Sequence, residues 1–157
     1  MIGVDWGTSN FRAFRIAADG SIGGSIVDRR SSPRGILAVE SGGFEPALRN
    51  EIGDWLAAGE DRVLLCGMVG SRQGWLEAKY LRCPAGLDDL AAAVVAVPFD
   101  GAEVRLVPGV MARDAQGVPE VMRGEETQIA GLLTALPGDA LVCLPGTHSK
   151  WARLHDK

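Results

Sequence analysis

The chain has 157 residues, 46% of them hydrophobic and 23% charged, with a formal net charge of −4. That length supports one ordinary core and is short for two domains, and the balance is that of a soluble globular protein. An acidic chain offers no electrostatic footprint for nucleic acid, and no apolar run approaches the roughly 20 residues of a membrane span. Glycine, with 21 residues, is the compositional outlier and implies tight turns or places where backbone approaches a ligand closely.

In chain order, IGVDW (2–6) is a short apolar run closed by the turn formers GTSN. FRAFRIA (11–17) reads as a second strand, DGS (19–21) as the next turn and SIGGSIVDRR (21–30) as a third strand, together an antiparallel meander. The opening MIGVDWG runs straight into a strand and leaves no room for a secretory signal, so a cytoplasmic location is expected. SSPRG is a loop, and Phe44, Leu48, Ile52, Trp55 and Leu56 then fall on one face of a helix. RVLLCG (62–67) has the continuous apolar look of a buried parallel strand, and MVGSRQGW (68–75) is loop-like.

GLDDLAAAVVAV (86–97) is expected as a helix closed by Pro98, and EVRLVPGV (103–110) as a strand. GEETQIAGLLTAL (124–136) is expected as a helix with acids in its first turn and Ile129, Leu132, Leu133 and Leu136 on one face. ALVCLPG and KWARL then form a fresh strand pair, so a strand–turn–strand with Gly-Thr in its turn occurs at 2–16 and again at 140–154. That echo suggests that the second copy opens a second domain. Of the three cysteines, Cys66 and Cys143 sit inside apolar runs, which favours reduced core thiols over disulfides or a zinc site, and Cys83 lies apart.

The chemistry concentrates in the two turns and one helix. DWGTSNFR puts a carboxylate beside backbone amides, hydroxyls and an amide side chain, a concavity suited to phosphate oxygens and, at Asp5, to hydrated Mg²⁺. An ordinary hairpin with Asp5 capping amides has the same composition. PGTHSK repeats the theme with a glycine, two hydroxyls and a cation, although the Walker spacing is absent. In GEETQ, Glu125 and Glu126 either complement the helix dipole or supply a general base to a sugar hydroxyl attacking a γ-phosphate.

Taken together, GVDWGTSNFRAFR, GMVGSRQGW, CPAGLDDLA, VPGV, VMRGEETQI and LVCLPGTHSKW resemble the 2-dehydro-3-deoxygalactonokinase family, within the sugar kinases of the actin-like ATPase superfamily. The resemblance runs from residue 2 to residue 153. It implies an α/β fold: a ribonuclease-H-like, actin-type ATPase domain, with a three-stranded antiparallel meander extended by parallel strands and helices on both faces. Residues 1–136 would be the sugar-binding lobe and 137–157 the opening hairpin of a truncated nucleotide-binding lobe. The implied reaction is ATP-dependent phosphorylation of 2-dehydro-3-deoxy-D-galactonate at its terminal hydroxyl, with ATP and Mg²⁺ as cofactors.

By the same resemblance, Asp5 would hold Mg²⁺ through water, and Gly7, Thr8, Ser9 and Asn10 would contact the transferring phosphate, with Gly146, Thr147, His148 and Ser149 opposite. The FGGY sugar kinases start a helix with Gly-Asp shortly before their second phosphate hairpin. Gly124-Glu125 occupies that place, which makes Glu125 the expected base and Glu126 the reserve. A sugar acid needs a cation for its carboxylate. Arg72 with Ser71, Gln73 and Trp75 is the first candidate and Arg34 with Gly35 the second; alternatively Arg72 is a solvated loop residue and Trp75 a packing aromatic. Two rival readings stay open: a kinase of another sugar or sugar acid, and a non-catalytic sugar-binding or regulatory fragment. A homo-oligomer or a complementing C-terminal lobe is the possible protein partner, with no nucleic-acid or membrane partner expected.

Overall fold

A computed structural model of the chain describes residues 1–17, 24–133, 135–136, 138–146 and 148–155. Strand β1 (Ile2–Trp6) alternates, burying Ile2, Val4 and Trp6 and leaving Gly3 and Asp5 half-buried. Strand β2 (Phe11–Ala17) returns antiparallel with Trp6 opposite Phe11, and β3 (Ser25–Ser32) continues the meander, with a register shift between Arg15 and Ile16. The third strand thus lies later than the 21–30 expected, and the turn expected at 19–21 lies outside the described residues. Helix α1 (Phe44–Ala57) buries Phe44, Leu48, Ile52 and Trp55, the face its periodicity implies, with Leu56 partly buried beside them.

Strand β4 (Arg62–Cys66) pairs parallel with β1, Ile2 opposite Val63 and Asp5 opposite Cys66. After it come β5 (Leu81–Arg82), α2 (Leu87–Ala92), β6 (Val95–Val97), β7 (Glu103–Leu106), β8 (Val110–Arg113), β9 (Pro119–Met122) and α3 (Glu125–Leu132). The main sheet has the order β3-β2-β1-β4-β7-β6, with β7 parallel to β4 and β6 antiparallel to β7. The result is a mixed α/β sheet in which the parallel strands β1, β4 and β7 finish side by side. Ile2, Phe11, Leu48, Ile52, Leu65 and Leu106 are fully buried in its core, each worth about 1.5–3 kcal/mol relative to exposure. Trp6 meets Phe11 edge-on at 5.1 Å and Phe44 at 5.5 Å.

Four expectations need correction. The helix expected over 86–97 ends at Ala92, because Val95–Val97 instead completes the open edge of β7, with Val95 opposite Leu106 and Val97 opposite Val104; valine's β-branching suits that pairing. The strand expected over 103–110 breaks after Leu106, where Pro108 offers no ladder N–H. Val110 then begins a second, three-stranded sheet of order β5-β8-β9 that periodicity does not reveal. The helix expected over 124–136 ends at Leu132, which is 41% exposed, so of its expected apolar face only Ile129 is buried.

The last correction concerns Cys143. Strands β10 (Ala140–Leu144) and β11 (Lys150–Leu154) pair antiparallel as expected, but as a two-stranded sheet of their own. Cys143 and its cross-strand neighbour Trp151 lie on the exposed face of that hairpin, whereas Cys66 is buried as expected.

Candidate functional site

The turn after β1 is held from outside. The Gly7 amide bonds the Asn10 carbonyl at 2.9 Å, while the amides of Ile36 and Leu37 take the carbonyls of Gly7 and Thr8 at 3.0 and 3.3 Å. Trp6 donates its indole N–H to the Arg34 carbonyl at 3.0 Å. Gly35 lies so close to the backbone of Thr8 and Ser9 that a Cβ there would overlap both. With its carbonyls engaged, the turn exposes the side chains of Thr8, Ser9 and Asn10, and the amides of these three donate no hydrogen bond among the described residues.

At the same sheet end, three segments cross. Gly67, directly after β4, adopts φ 94°, and a Cβ there would lie 2.8 Å from the Trp6 carbonyl oxygen and 3.1 Å from Asp5 Oδ1. Gly124, at φ 107° before α3, is packed against Gly67, so that a Cβ there would lie 3.2 Å from the Gly67 Cα. Both have positive φ that favours glycine, and a side chain would overlap backbone at Gly67 and be tightly packed at Gly124. The start of α3 is thereby brought against the end of β1. Asp5 is the carboxylate at the crossing, 25% exposed and 3.2 Å from the Arg12 guanidinium. Burial, followed by the charges of Asp5 and Glu126, pushes the Cys66 thiol between them up to about 12.

The two glutamates divide. Glu126 is 4% exposed, and both its oxygens accept the Gly124 N–H, at 2.9 and 2.7 Å, with Thr127 Oγ1 adding a bond at 3.1 Å. Its carboxylate is occupied in closing the helix start. Burial pushes its carboxyl above the ordinary value, those hydrogen bonds opposing the shift and the Glu125 charge adding to it. Glu125 is half-buried and accepts the Arg123 N–H on Oε2 at 2.9 Å, leaving Oε1 without a partner among the described residues. Geometry therefore favours Glu125 as the accessible proton acceptor.

The 68–75 segment starts at this edge as a 3-10 turn over Met68–Gly70. Arg72 and Gln73 are exposed, and Arg72 has no ion-pair partner among the described residues; Ser71 accepts the Gln73 N–H at 3.3 Å. Trp75 turns inward, stacked on Phe44 at 6.2 Å and edge-on to Phe99 at 6.3 Å, and is a packing aromatic. The Arg34 side chain is exposed, with its carbonyl taken by Trp6. Gly146, His148 and Ser149 lie exposed in the β10–β11 turn, not hydrogen-bonded to the first turn among the described residues, and Thr147 lies outside the described residues. Sequence reading overlooked Gly67 and Arg123. The signals for them were a glycine directly after an apolar strand and an arginine two residues before Glu125.

A family model described as 2-keto-3-deoxy-galactonokinase matches residues 5–157. A protein of Rhizobium meliloti (strain 1021), named as a probable 2-dehydro-3-deoxygalactonokinase, is 43% identical over 98% of this chain and 49% of its own length. The 2-dehydro-3-deoxygalactonokinase of Escherichia coli (strain K12) is 32% identical over 97% of this chain and 48% of its own. A crystal structure from Sinorhizobium meliloti, described under the same enzyme name, superposes with a TM-score of 0.86 at 41% identity, covering 99% of this chain and 49% of that one. The chain thus spans about half the length of the curated relatives it matches.

Proposed function

The chain belongs to the 2-keto-3-deoxy-galactonokinase family, and on that premise we propose that it carries the acceptor-binding part of a sugar-acid kinase. The reaction is transfer of the γ-phosphoryl group of ATP to the terminal hydroxyl of 2-dehydro-3-deoxy-D-galactonate, in the cytoplasm. The observation that carries this reading is the crossing of Asp5, Gly67 and Gly124, which sets the start of α3, with the free oxygen of Glu125, at the head of the first turn. Residues 1–136 form one ribonuclease-H-like lobe of the actin type, and residues 137–157 open a nucleotide-binding lobe. The β3-β2-β1-β4-β7 succession and the separate β10–β11 sheet support that division.

The donor set suits the cofactors. Mg²⁺ keeps most of its waters and takes one or two carboxylates together with phosphate oxygens, and Asp5 is one half-buried carboxylate at the turn. When bound, the ion would neutralise charge on the phosphates. The amides and side chains of Thr8, Ser9 and Asn10 would orient the transferring group, with Gly7 shaping their turn, and Gly146, Thr147, His148 and Ser149 would approach from the other lobe.

Glu125 would take the proton of the terminal hydroxyl as its oxygen bonds to the γ-phosphorus and the bond to the departing ADP oxygen breaks. Glu126 would hold the helix start in place. Arg72, exposed and with no ion-pair partner among the described residues, would bind the sugar-acid carboxylate, with Ser71 and Gln73 beside it and Arg34 and Gly35 in the loop before α1.

Calorimetric titration with 2-dehydro-3-deoxy-D-galactonate, beside its gluconate epimer, tests the reading. Saturable binding of the first, lost in Arg72→Ala, is expected. No binding by a folded chain would remove the substrate assignment.

A further inference from the structure

Arg123 joins three segments through one side chain. Its Nη2 donates to the Ala78 carbonyl at 2.9 Å, and its guanidinium carbon lies 4.2 Å over the Tyr80 ring. Its Nη1 is buried with no hydrogen-bond partner among the described residues, so near Gly70 that a Cβ there would lie 2.9 Å from it. Its own N–H donates to Glu125. The loop that the guanidinium grips is closed on itself, since the Ala78 amide bonds the Gly70 carbonyl at 3.0 Å. Arg72 lies within that closed loop.

This arrangement is poor economy for stability alone. A guanidinium nitrogen buried without a partner is a desolvation penalty that an apolar side chain between Gly70 and Leu106 would avoid. What arginine supplies is a planar group that can stack on Tyr80 and donate sideways in a fixed direction. We propose that Arg123 is a positioning residue that fixes the 70–80 segment, and Arg72 on it, relative to Glu125 at the start of α3. The assignment of a sugar acid to Arg72 and of the base to Glu125 rests on the function proposed above; the mechanical coupling does not. Arg123 sets the distance between the group that holds the acceptor and the group that deprotonates it, and a displacement of about 1 Å at that scale matters for reactivity.

The test uses the 157-residue chain and its Arg123→Ala and Arg123→Lys variants, with amide hydrogen exchange and titration of 2-dehydro-3-deoxy-D-galactonate as readouts. In Arg123→Ala, exchange should rise together at 70–80 and at 124–127, with β1 and β4 amides still protected, and sugar-acid affinity should fall about tenfold. Arg123→Lys keeps a donor for the Ala78 carbonyl but loses the planar group over Tyr80, and should recover only part of that affinity. Should Arg123→Ala not fold, Tyr80→Ala, at a position 38% exposed, removes the ring under the guanidinium and should shift both readouts the same way. Unchanged exchange at 70–80, or looser exchange with undiminished affinity, would overturn the proposal. If the unsubstituted chain binds no sugar acid, the functional reading falls, and exchange at the two segments still decides whether Arg123 couples them.

Discussion

At Glu126, burial disfavours the charged carboxylate while the hydrogen bonds from Gly124 and Thr127 favour it, and its neighbour Glu125 is only half-buried. Because the Glu126 carboxyl is raised above its ordinary 4.5 by burial, the folded chain holds that proton more tightly than the unfolded chain does. The group's stabilising effect is therefore greatest below pH 4.5 and declines as pH rises to the folded value, beyond which the cost is constant. Glu126→Gln keeps one acceptor for the Gly124 amide and should flatten that decline. Urea unfolding of both chains across this range reads the difference, and parallel curves would mean that Glu126 does not titrate as its burial implies. Glu125→Gln should act on chemistry instead. In a form of the protein that turns over ATP, it should cut kcat by roughly 10² to 10⁴-fold with sugar binding intact, the range of a general base. Equal loss in both variants would undo the division of labour between the two carboxylates.

The turn and the loop that clasps it behave as one element. Gly35 touches the backbone of Thr8 and Ser9, and Ile36 and Leu37 bond the carbonyls of the same turn. Gly35→Ala forces a methyl group against the main chain of Thr8 and Ser9, where no side chain can swing aside. It should destabilise the chain by about 1–3 kcal/mol, the usual cost of overpacking, read as a lower urea midpoint with unchanged slope. A midpoint within error of the parent would show that the clasp is loose. Element boundaries were legible where periodicity and pairing agreed: the Phe44, Leu48, Ile52 and Trp55 face of α1, and the apolar run of β4. They were not legible at 93–97, where an Ala-Val run suits either state locally and the vacant edge of β7 decided in favour of strand.

Across the whole molecule, the β10–β11 hairpin is a two-stranded sheet of its own with one exposed face. Trp151 is 64% exposed, while Trp6 and Trp55 are 1% and 3% exposed. Iodide should therefore quench a fraction of the fluorescence that Trp151→Phe removes. If the hairpin opens a second lobe, as proposed, joining the chain to the second half that its relatives have should make that emission inaccessible and blue-shifted. Persistent quenching in the longer protein would refute the lobe assignment. The six motifs between residues 2 and 153, taken together, pointed to the family, because turn chemistry and strand periodicity are local properties written in consecutive residues. The sequence by itself thus determined the meander, the parallel strand after α1, the two Gly-Thr turns and the candidate carboxylates. Only the tertiary structure decided which glutamate keeps an oxygen without a partner among the described residues, that Trp75 faces the core, and that Gly67, Gly124 and Arg123 hold the segments of the candidate site against one another. Those outcomes depend on contacts between segments some 60 residues apart (Asp5, Gly67 and Gly124), and the distance between such segments is set by packing, which no local pattern encodes.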